Sequence, residues 1–284
     1  MKLLRWAGSK LRMLAQYDPY FPKQHHGGYV EPMCGSAAVA FEWWDRWCGP
    51  VYLSDKNPEL MGLFHALKCA GPQVAQALGE YVSMYNAQGS EAGRAAMYEA
   101  ARLALNACLS AGSSQQSAFD AATMIFLNRT GFNGLFRVNR AGGYNVPFGK
   151  LGRLSPHLVE AALRTGAMLA DPLVHLVCAD FTWVDEYDYW VPGTVFYFDP
   201  PFDGVFAAYT KQGFRESDQY RLRNLVECLV ARGMVVYVAN SDTPFIRSIY
   251  AGHEFEIIEL QGRRSISCDG GTRGVVSELL IRGA

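Results

Sequence analysis

Apolar and polar positions alternate in two different ways along this chain. Short runs of apolar, β-branched or aromatic residues, as required of strands buried on both faces, lie towards its two ends. YVEPMC at 29–34 reads as a strand entering a turn of small residues, AAVAFEWWDRW at 37–47 as a helix, and VYLSD at 51–55 as a second strand ending on an acid. Strand, turn, helix, strand and acid in that order make a mononucleotide-binding half of a doubly wound sheet. Over 61–116 the pattern turns helical and Ala-rich, with a break at 88–93. Residues 132–148 alternate aromatics with Asn and Gly around Ala141-Gly142-Gly143, which predicts a β-hairpin. After a helix in LSPHLVEAALRTGAML, strands and helices resume through LVHLVCAD, TVFYFD, a helix at 220–232, MVVYVANSD and EFEIIEL. VVSELLI at 275–281 closes the chain as an edge or antiparallel strand. The expected fold is α/β: a doubly wound, mostly parallel sheet from residues 1–60 and 156–284, with a helical and β-hairpin domain inserted over 61–155.

Composition narrows the picture. With 284 residues, half of them hydrophobic, the chain has room for one large core and an insertion. No stretch approaches the roughly twenty apolar residues of a membrane span, and MKLLRWAGSK lacks a signal peptide's apolar segment. A cytoplasmic address is the expectation, with no membrane partner. The seven Cys are scattered, with no C-x-x-C grouping, and the six His are equally dispersed. These are expected to be reduced, mostly buried thiols, and no protein metal site is expected. Net charge is −1, so a nucleic-acid partner would need locally concentrated positive charge. Between Asp120 and Glu160 there is no acid, whereas Arg129, Arg137, Arg140, Lys150 and Arg153 all lie there; Arg263, Arg264 and Arg273 form a second cluster. Such runs are most often just solvated faces.

Chemistry concentrates in Asp199-Pro200-Pro201-Phe202, directly after the strand TVFYF. An exocyclic amine on an aromatic base is a poor nucleophile because its lone pair is delocalised into the ring. Acceptors for both of its N–H groups let the nitrogen pyramidalise towards an electrophilic methyl. The Asp199 carboxylate is one such acceptor and the Pro200 carbonyl the other. Pro200 and Pro201 fix the turn, and Phe202 offers a ring face to a base or a cation. Alone, the tetrad is as readily an ordinary turn; its place at the carboxyl end of a buried strand favours a site. In Glu31-Pro32-Met33-Cys34-Gly35-Ser36-Ala37, small residues permit close backbone approach ahead of a helix N-terminus, and Asp55 ends the next strand where an adenosine ribose wants an acceptor. No G-x-S-x-G elbow makes Ser36 a hydrolase nucleophile, and Trp43, Trp44 and Trp47 read as core.

Taken together, these blocks and their order resemble the Dam-like class of DNA adenine N6-methyltransferases, of the α arrangement. Arg5-Trp6-Ala7-Gly8-Ser9-Lys10 is similar to the family's K-W-A-G-G-K, whose Trp and Lys contact the methyl donor. EPMCGSA is similar to its cofactor loop, which assigns Glu31, Pro32, Cys34, Gly35 and Ser36 to the donor; Asp55 falls on the ribose ligand, and Asp180-Phe181 near the donor's adenine. FLNRTGFNGLFRVNRAGGYNVPFGK resembles the target-recognition hairpin, in which Phe132, Asn133, Leu135, Arg137 and Pro147 fall where the family contacts or wedges its DNA. GRRSISCDGGTRGVVSELLI is similar to the family's closing block. Three departures stand out: Arg5 for Lys, Ser9 for Gly, and Phe202 for Tyr.

The resemblance implies transfer of a methyl group from S-adenosylmethionine to N6 of a flipped adenine in double-stranded DNA, at a GATC-like site, without a metal and leaving S-adenosylhomocysteine. Arg137 is the expected guanine reader, with Arg5 next in line and Phe132 with Asn133 as the wedge. Asn139, Arg263 and Arg264 are placed on DNA, and Arg129, Arg140, Lys150 and Arg153 on phosphates. Bracing of the hairpin is the competing account of Arg137. A cognate restriction endonuclease stays open as a partner, as do a solitary enzyme, a bacterial nucleoid and a phage origin. The alternatives are an RNA adenine N6-methyltransferase and, in a different class, an inactive DNA-binding regulator.

Overall fold

A computed structural model describes residues 2–110, 117–187, 190–203, 214–263 and 275–284. Its strands are β1 (Tyr29–Glu31), β2 (Val51–Asp55), β3 (Val174–Cys178), β4 (Val195–Phe198), β5 (Val235–Ser241), β6 (Phe255–Arg263) and β7 (Val275–Gly283). The helices are α1 (Leu14–Tyr17), α2 (Ala38–Glu42), α3 (Pro58–Asn86), α4 (Glu91–Ser110), α5 (Ala118–Thr130), α6 (His157–Leu169), α7 (Glu216–Ala231) and α8 (Pro244–Ile249). Starts are written locally. Asn57 accepts from Leu60 N ahead of Pro58 at the start of α3, Ser117 and Asp120 form a capping box on α5, and Thr243 caps α8 ahead of Pro244.

The strands form a seven-stranded, mostly parallel sheet in the order β3-β2-β1-β4-β5-β7-β6, the expected α/β architecture. β1 pairs in parallel with both β2 and β4, and β4 with β5. The strand order therefore reverses between β1 and β4, and in open α/β sheets ligands bind outside the carboxyl ends of the strands at such a point. β7 runs antiparallel between β5 and β6, so the closing segment is internal and β6 is the edge. Its buried run Leu279-Leu280-Ile281 suits a strand with neighbours on both sides.

Two expectations are corrected, and a third is met in short form. The helix expected over 37–47 divides into α2 and a 3-10 turn, Trp44–Arg46, at Trp43, whose backbone leaves the helical region as its ring enters the core. The hairpin expected around Ala141-Gly142-Gly143 is present in short form: Val138 bridges Tyr144 antiparallel, Asn139 N donates to Gly143 O and Asn145 N to Arg137 O, and a separate bridge joins Gly131 to Phe148. Among the described cysteines Cys34 is buried, but Cys48, Cys69, Cys178 and Cys228 are exposed, on outward helix faces or at element ends.

The chain divides into two compact units, 10–56 with 179–284 and 1–9 with 57–178. The first holds the strands other than β3, over a core that includes Phe196, Phe198, Leu222, Val236 and Ile246. The second holds α3 to α6. α6 and β3, which the sequence reading assigned to the sheet domain, group with the helices for two physical reasons. Lys68 in α3 donates to the carbonyls of Leu169, Asp171 and Val174 at 2.9, 3.2 and 2.8 Å. Gly71 and Gly166 also let α3 and α6 approach closely: a Cβ on Gly166 would lie 3.1 Å from Gly71 Cα and from the Leu67 carbonyl.

That contact yields a paired prediction. Gly166→Val should cost about 1–3 kcal/mol by overpacking. Gly79→Ala in α3, where an added Cβ meets only Val159 at 3.7 Å, should stabilise by about 0.5–1 kcal/mol. Denaturant unfolding of the two variants, read as midpoint shifts of opposite sign, checks both.

Candidate active site and nucleic-acid interface

In the sheet unit, the turn after β1 is hydrogen-bonded to the end of β2. Cys34 N donates to Ser54 O at 2.9 Å, and the Ser54 hydroxyl donates to Pro32 O while accepting from Trp183 Nε1. Gly35 and Ala37 both have left-handed backbones, and Gly35 N donates to Asp55 Oδ2 at 3.0 Å. Ser36 lies between them, half-buried. Glu31 is buried at the end of β1, where Oε2 accepts from the Tyr29 hydroxyl and from Ala40 N in the first turn of α2. Burial pushes its carboxyl up to about 8, against the Tyr29 hydrogen bond.

Asp199 follows β4 directly. Its Oδ1 lies 3.1 Å from Lys10 Nζ, and the same ammonium is 3.3 Å from Glu278 Oε1 and 3.9 Å from the Phe202 ring centroid. Lys10 is 5% exposed, so this cation sits inside the protein between two carboxylates. Tyr17 in α1 donates its hydroxyl to the same Glu278 oxygen at 2.7 Å. Burial raises Asp199 to about 6, with Lys10 opposing the rise and the Glu278 charge adding to it.

Neutral donors hold the tetrad's backbone. Gln219 in α7 donates to Pro201 O at 3.3 Å and accepts from Asn240 in β5; Ser241 donates to Asp203 O, and Thr243 to Asp203 Oδ2. Pro200 is buried and Pro201 exposed. Asp180 accepts from Thr182 and pairs with Arg221 at 3.0 Å, while Arg221 lies over the Phe181 ring. Sequence reasoning missed Glu278, Tyr17 and Gln219 as site residues. The signal for Glu278 was an acid inside the apolar run VVSELLI; Tyr17 and Gln219 carry none.

In the helical unit, Asn128 is the fastening point. It accepts from Arg5 N and donates to Arg5 O, both at 2.8 Å, and donates to Gly134 O at 2.9 Å. A Cβ on Gly134 would meet Arg5 Cβ at 2.3 Å, so only glycine fits. Trp6 stacks on Phe136 with centroids 6.1 Å apart, and Ala7 and Gly8 lie in the turn that Ser9 N closes onto Trp6 O. Phe132 is 51% exposed, beside left-handed Asn133, and its N donates to Pro147 O. Leu135 is half-buried.

Arg137 donates through Nε to Asn145 Oδ1 at 2.8 Å and through Nη2 to Asn145 O, so it braces the bridge segment. Asn139 Oδ1 accepts from Ala141 N and Gly143 N, which fixes the turn. Arg129 is half-buried and donates to Lys2 O at 3.4 Å; burial first, then the charge of Arg5, lowers it to about 10. Arg140 and Arg153 are exposed, and Lys150 pairs with Glu91 at 3.5 Å. Arg263 ends β6, and Arg264, Cys268 and Arg273 lie outside the described residues.

Among the described residues no three His, Cys, Asp or Glu side chains are grouped to hold a metal ion, and no helix is long and apolar enough to cross a membrane. The family model described as D12 class N6 adenine-specific DNA methyltransferase matches residues 6–266. The chain is 30% identical to the retron Ec67 DNA adenine methylase of Escherichia coli, over 98% of this chain and 90% of that protein. It is 32% identical to the type II methyltransferase M.MjaIII of Methanocaldococcus jannaschii, over 98% and 97%, and 31% identical to the DNA adenine methylase of Salmonella typhi, over 98% and 93%. With the Asp-Pro-Pro-Phe turn at the end of β4 and these matches across its length, the chain belongs to the D12 class N6 adenine-specific DNA methyltransferases.

Proposed function

We propose that the chain moves the methyl group of S-adenosylmethionine to N6 of an adenine flipped out of double-stranded DNA, at a GATC-like site. The observation that carries this reading is Asp199, held ready as an acceptor beside the Phe202 ring at the sheet's switch point. The residues of the β1 and β2 turns fit the donor. Asp55 presents a carboxylate suited to a ribose diol, the left-handed backbone at Gly35 allows close approach, and Asp180 with Phe181 provides an acceptor and a ring face for an adenine. When bound, the donor supplies an electrophilic sulfonium methyl. Asp199 and the Pro200 carbonyl then accept the two N6 hydrogens, and Phe202 stacks on the base. A duplex hides N6 within its stack, so base flipping is part of the proposal, with Phe132 as the wedge.

The target is proposed from the likeness of the recognition segment to the Dam-like class. Arg137 matches the O6 and N7 of guanine once Asn145 releases it, and Arg140, Lys150 and Arg153 serve phosphates. The type II relative keeps a cognate restriction endonuclease among the candidate partners, and the proposed address is the cytoplasm.

Asp199→Ala should leave the melting temperature near wild type and reduce kcat by about a hundredfold or more, measured with tritiated donor on unmethylated DNA. Residual turnover within about tenfold of wild type would exclude the assignment. The Asp199 pKa near 6 lies above that of a free carboxyl, so the acceptor is ionised above pH 6 and lost below it. The rate should fall as pH drops through about 6. The same raised value costs the folded state stability as pH rises from the unfolded carboxyl range through 6. Asp199→Asn should therefore gain stability relative to wild type between pH 5 and pH 8.

For the DNA, Arg137→Ala should relax discrimination at one guanine by about 1–3 kcal/mol. Lys150→Ala should instead weaken cognate and scrambled duplexes alike and flatten the salt dependence by about one unit. Binding titrations at several salt concentrations separate the two. Equal loss on both duplexes for Arg137→Ala would make it only the brace seen against Asn145.

A further inference from the structure

Glu278 has no part in the reading above, yet it lies within bonding distance of the buried Lys10 ammonium. It reaches that place through topology. β7 is antiparallel to β5 with Glu278 opposite Ser241, so an early residue of β7 lies at the carboxyl edge of the parallel strands, where the turn after β4 also begins. Lys10 Nζ then touches three things at once: Glu278 Oε1 at 3.3 Å, Asp199 Oδ1 at 3.1 Å and the Phe202 ring at 3.9 Å. The last two are the groups that an incoming adenine needs.

Resting on the methyltransferase reading, we propose that Glu278 is a positioning residue: it holds the Lys10 ammonium against Asp199 and Phe202 in the base-free enzyme, and keeps that ammonium when the target base claims both groups. A buried ammonium that lost its only carboxylate would pay a desolvation cost of several kcal/mol. With Glu278 beside it, Lys10 yields the Asp199 oxygen and the ring face and remains paired within a few ångströms. Tyr17 holds the receiving carboxylate in place through its hydroxyl. The ionisable groups facing Asp199 are Lys10 from the 3-10 turn at 10–12, Tyr17 from α1, Glu31 from β1, Tyr197 from β4 and Glu278 from β7. Lys10 is the cation among these five. The electrostatics agree with the geometry: the Lys10 charge lowers the Asp199 pKa, and the Glu278 charge raises it.

The test uses Glu278→Gln, which keeps the shape and the acceptor for Tyr17 but removes the charge. Two readouts are taken: carboxyl ¹³C titration of Asp199 in the ligand-free protein, and kcat at pH 8, where Asp199 is fully ionised. With its like charge gone and Lys10 left to Asp199 alone, the Asp199 midpoint should fall below 6 by about half a unit or more. Because Lys10 then has no second carboxylate to move to, kcat at pH 8 should fall about tenfold or more. Glu278→Asp should recover part of both, and Lys10→Met should move the midpoint upwards. A merely structural Glu278 would lower the melting temperature and leave the midpoint in place, which overturns the proposal; so does an unchanged kcat at pH 8. If the Gln variant does not fold, an unmoved midpoint in Lys10→Met overturns it equally. The titration needs neither donor nor DNA, so it reports on Glu278 even if Asp199→Ala shows the methyltransferase reading to be wrong.

Discussion

The structure depends most on one buried ammonium shared between two carboxylates. An ionised carboxylate is the stronger hydrogen-bond acceptor, and shielding it from water strengthens its hydrogen bonds further. Ionisation and shielding conflict, because burial pushes a carboxyl towards its neutral form. Lys10 resolves the conflict for Asp199 by supplying positive charge at 3.1 Å. Its own burial is offset by pairing with Glu278 as well. The arrangement needs a sheet in which a residue after β4 and a residue of β7 reach the same edge, and the antiparallel insertion of β7 between β5 and β6 provides that. Strand order and acid–base chemistry are thus one design problem.

The backbone around Asp199 is held by different means. Gln219, Asn240, Ser241 and Thr243 fasten Pro201 and Asp203 through neutral donors. A charged clamp in their place would bind as firmly but would also shift Asp199, since like and unlike charges act over several ångströms in a poorly solvated site. Neutral bonds fix geometry and leave the proton affinity of Asp199 to burial, Lys10 and Glu278. The two prolines fix their own backbone angles in the same turn.

This division explains what the sequence showed and what it hid. Strands buried on both faces appear as uninterrupted apolar runs, so β1, β2, β4 and β5 and the tetrad after β4 could be read directly. Glu278 could not be assigned, because its partner Lys10 stands 268 positions earlier and only strand order brings them together. The segment at 132–148 was legible in part. Its pattern around Ala141-Gly142-Gly143 predicts a hairpin, which is present over a few residues about the Asn139 turn, whereas the left-handed Asn133 in a 3-10 turn carries no signal in the periodicity. The unit boundary followed packing that no periodicity encodes: two glycines that let α3 and α6 touch, and a lysine gathering three carbonyls.

The helical unit shows a second use of constrained charge. Asn128 clamps the backbone of Arg5 and of Gly134 with three hydrogen bonds, so the N-terminal segment and the turn at Phe132 are fixed to one side chain. The Arg5 charge adds to burial in lowering Arg129, and no acid occurs in sequence between Asp120 and Glu160. Arg129 is already partly desolvated, and its Nε has no hydrogen-bond partner. An anion beside Arg129 would offset both burial and the Arg5 charge. A phosphate is the anion that a DNA duplex presents at regular spacing, and Arg carries the planar fork that binds it in bidentate fashion. Under the proposed DNA methyltransferase reading, a duplex phosphate would therefore relieve both burial and like charge at Arg129, beside the turn that the asparagine clamp orders.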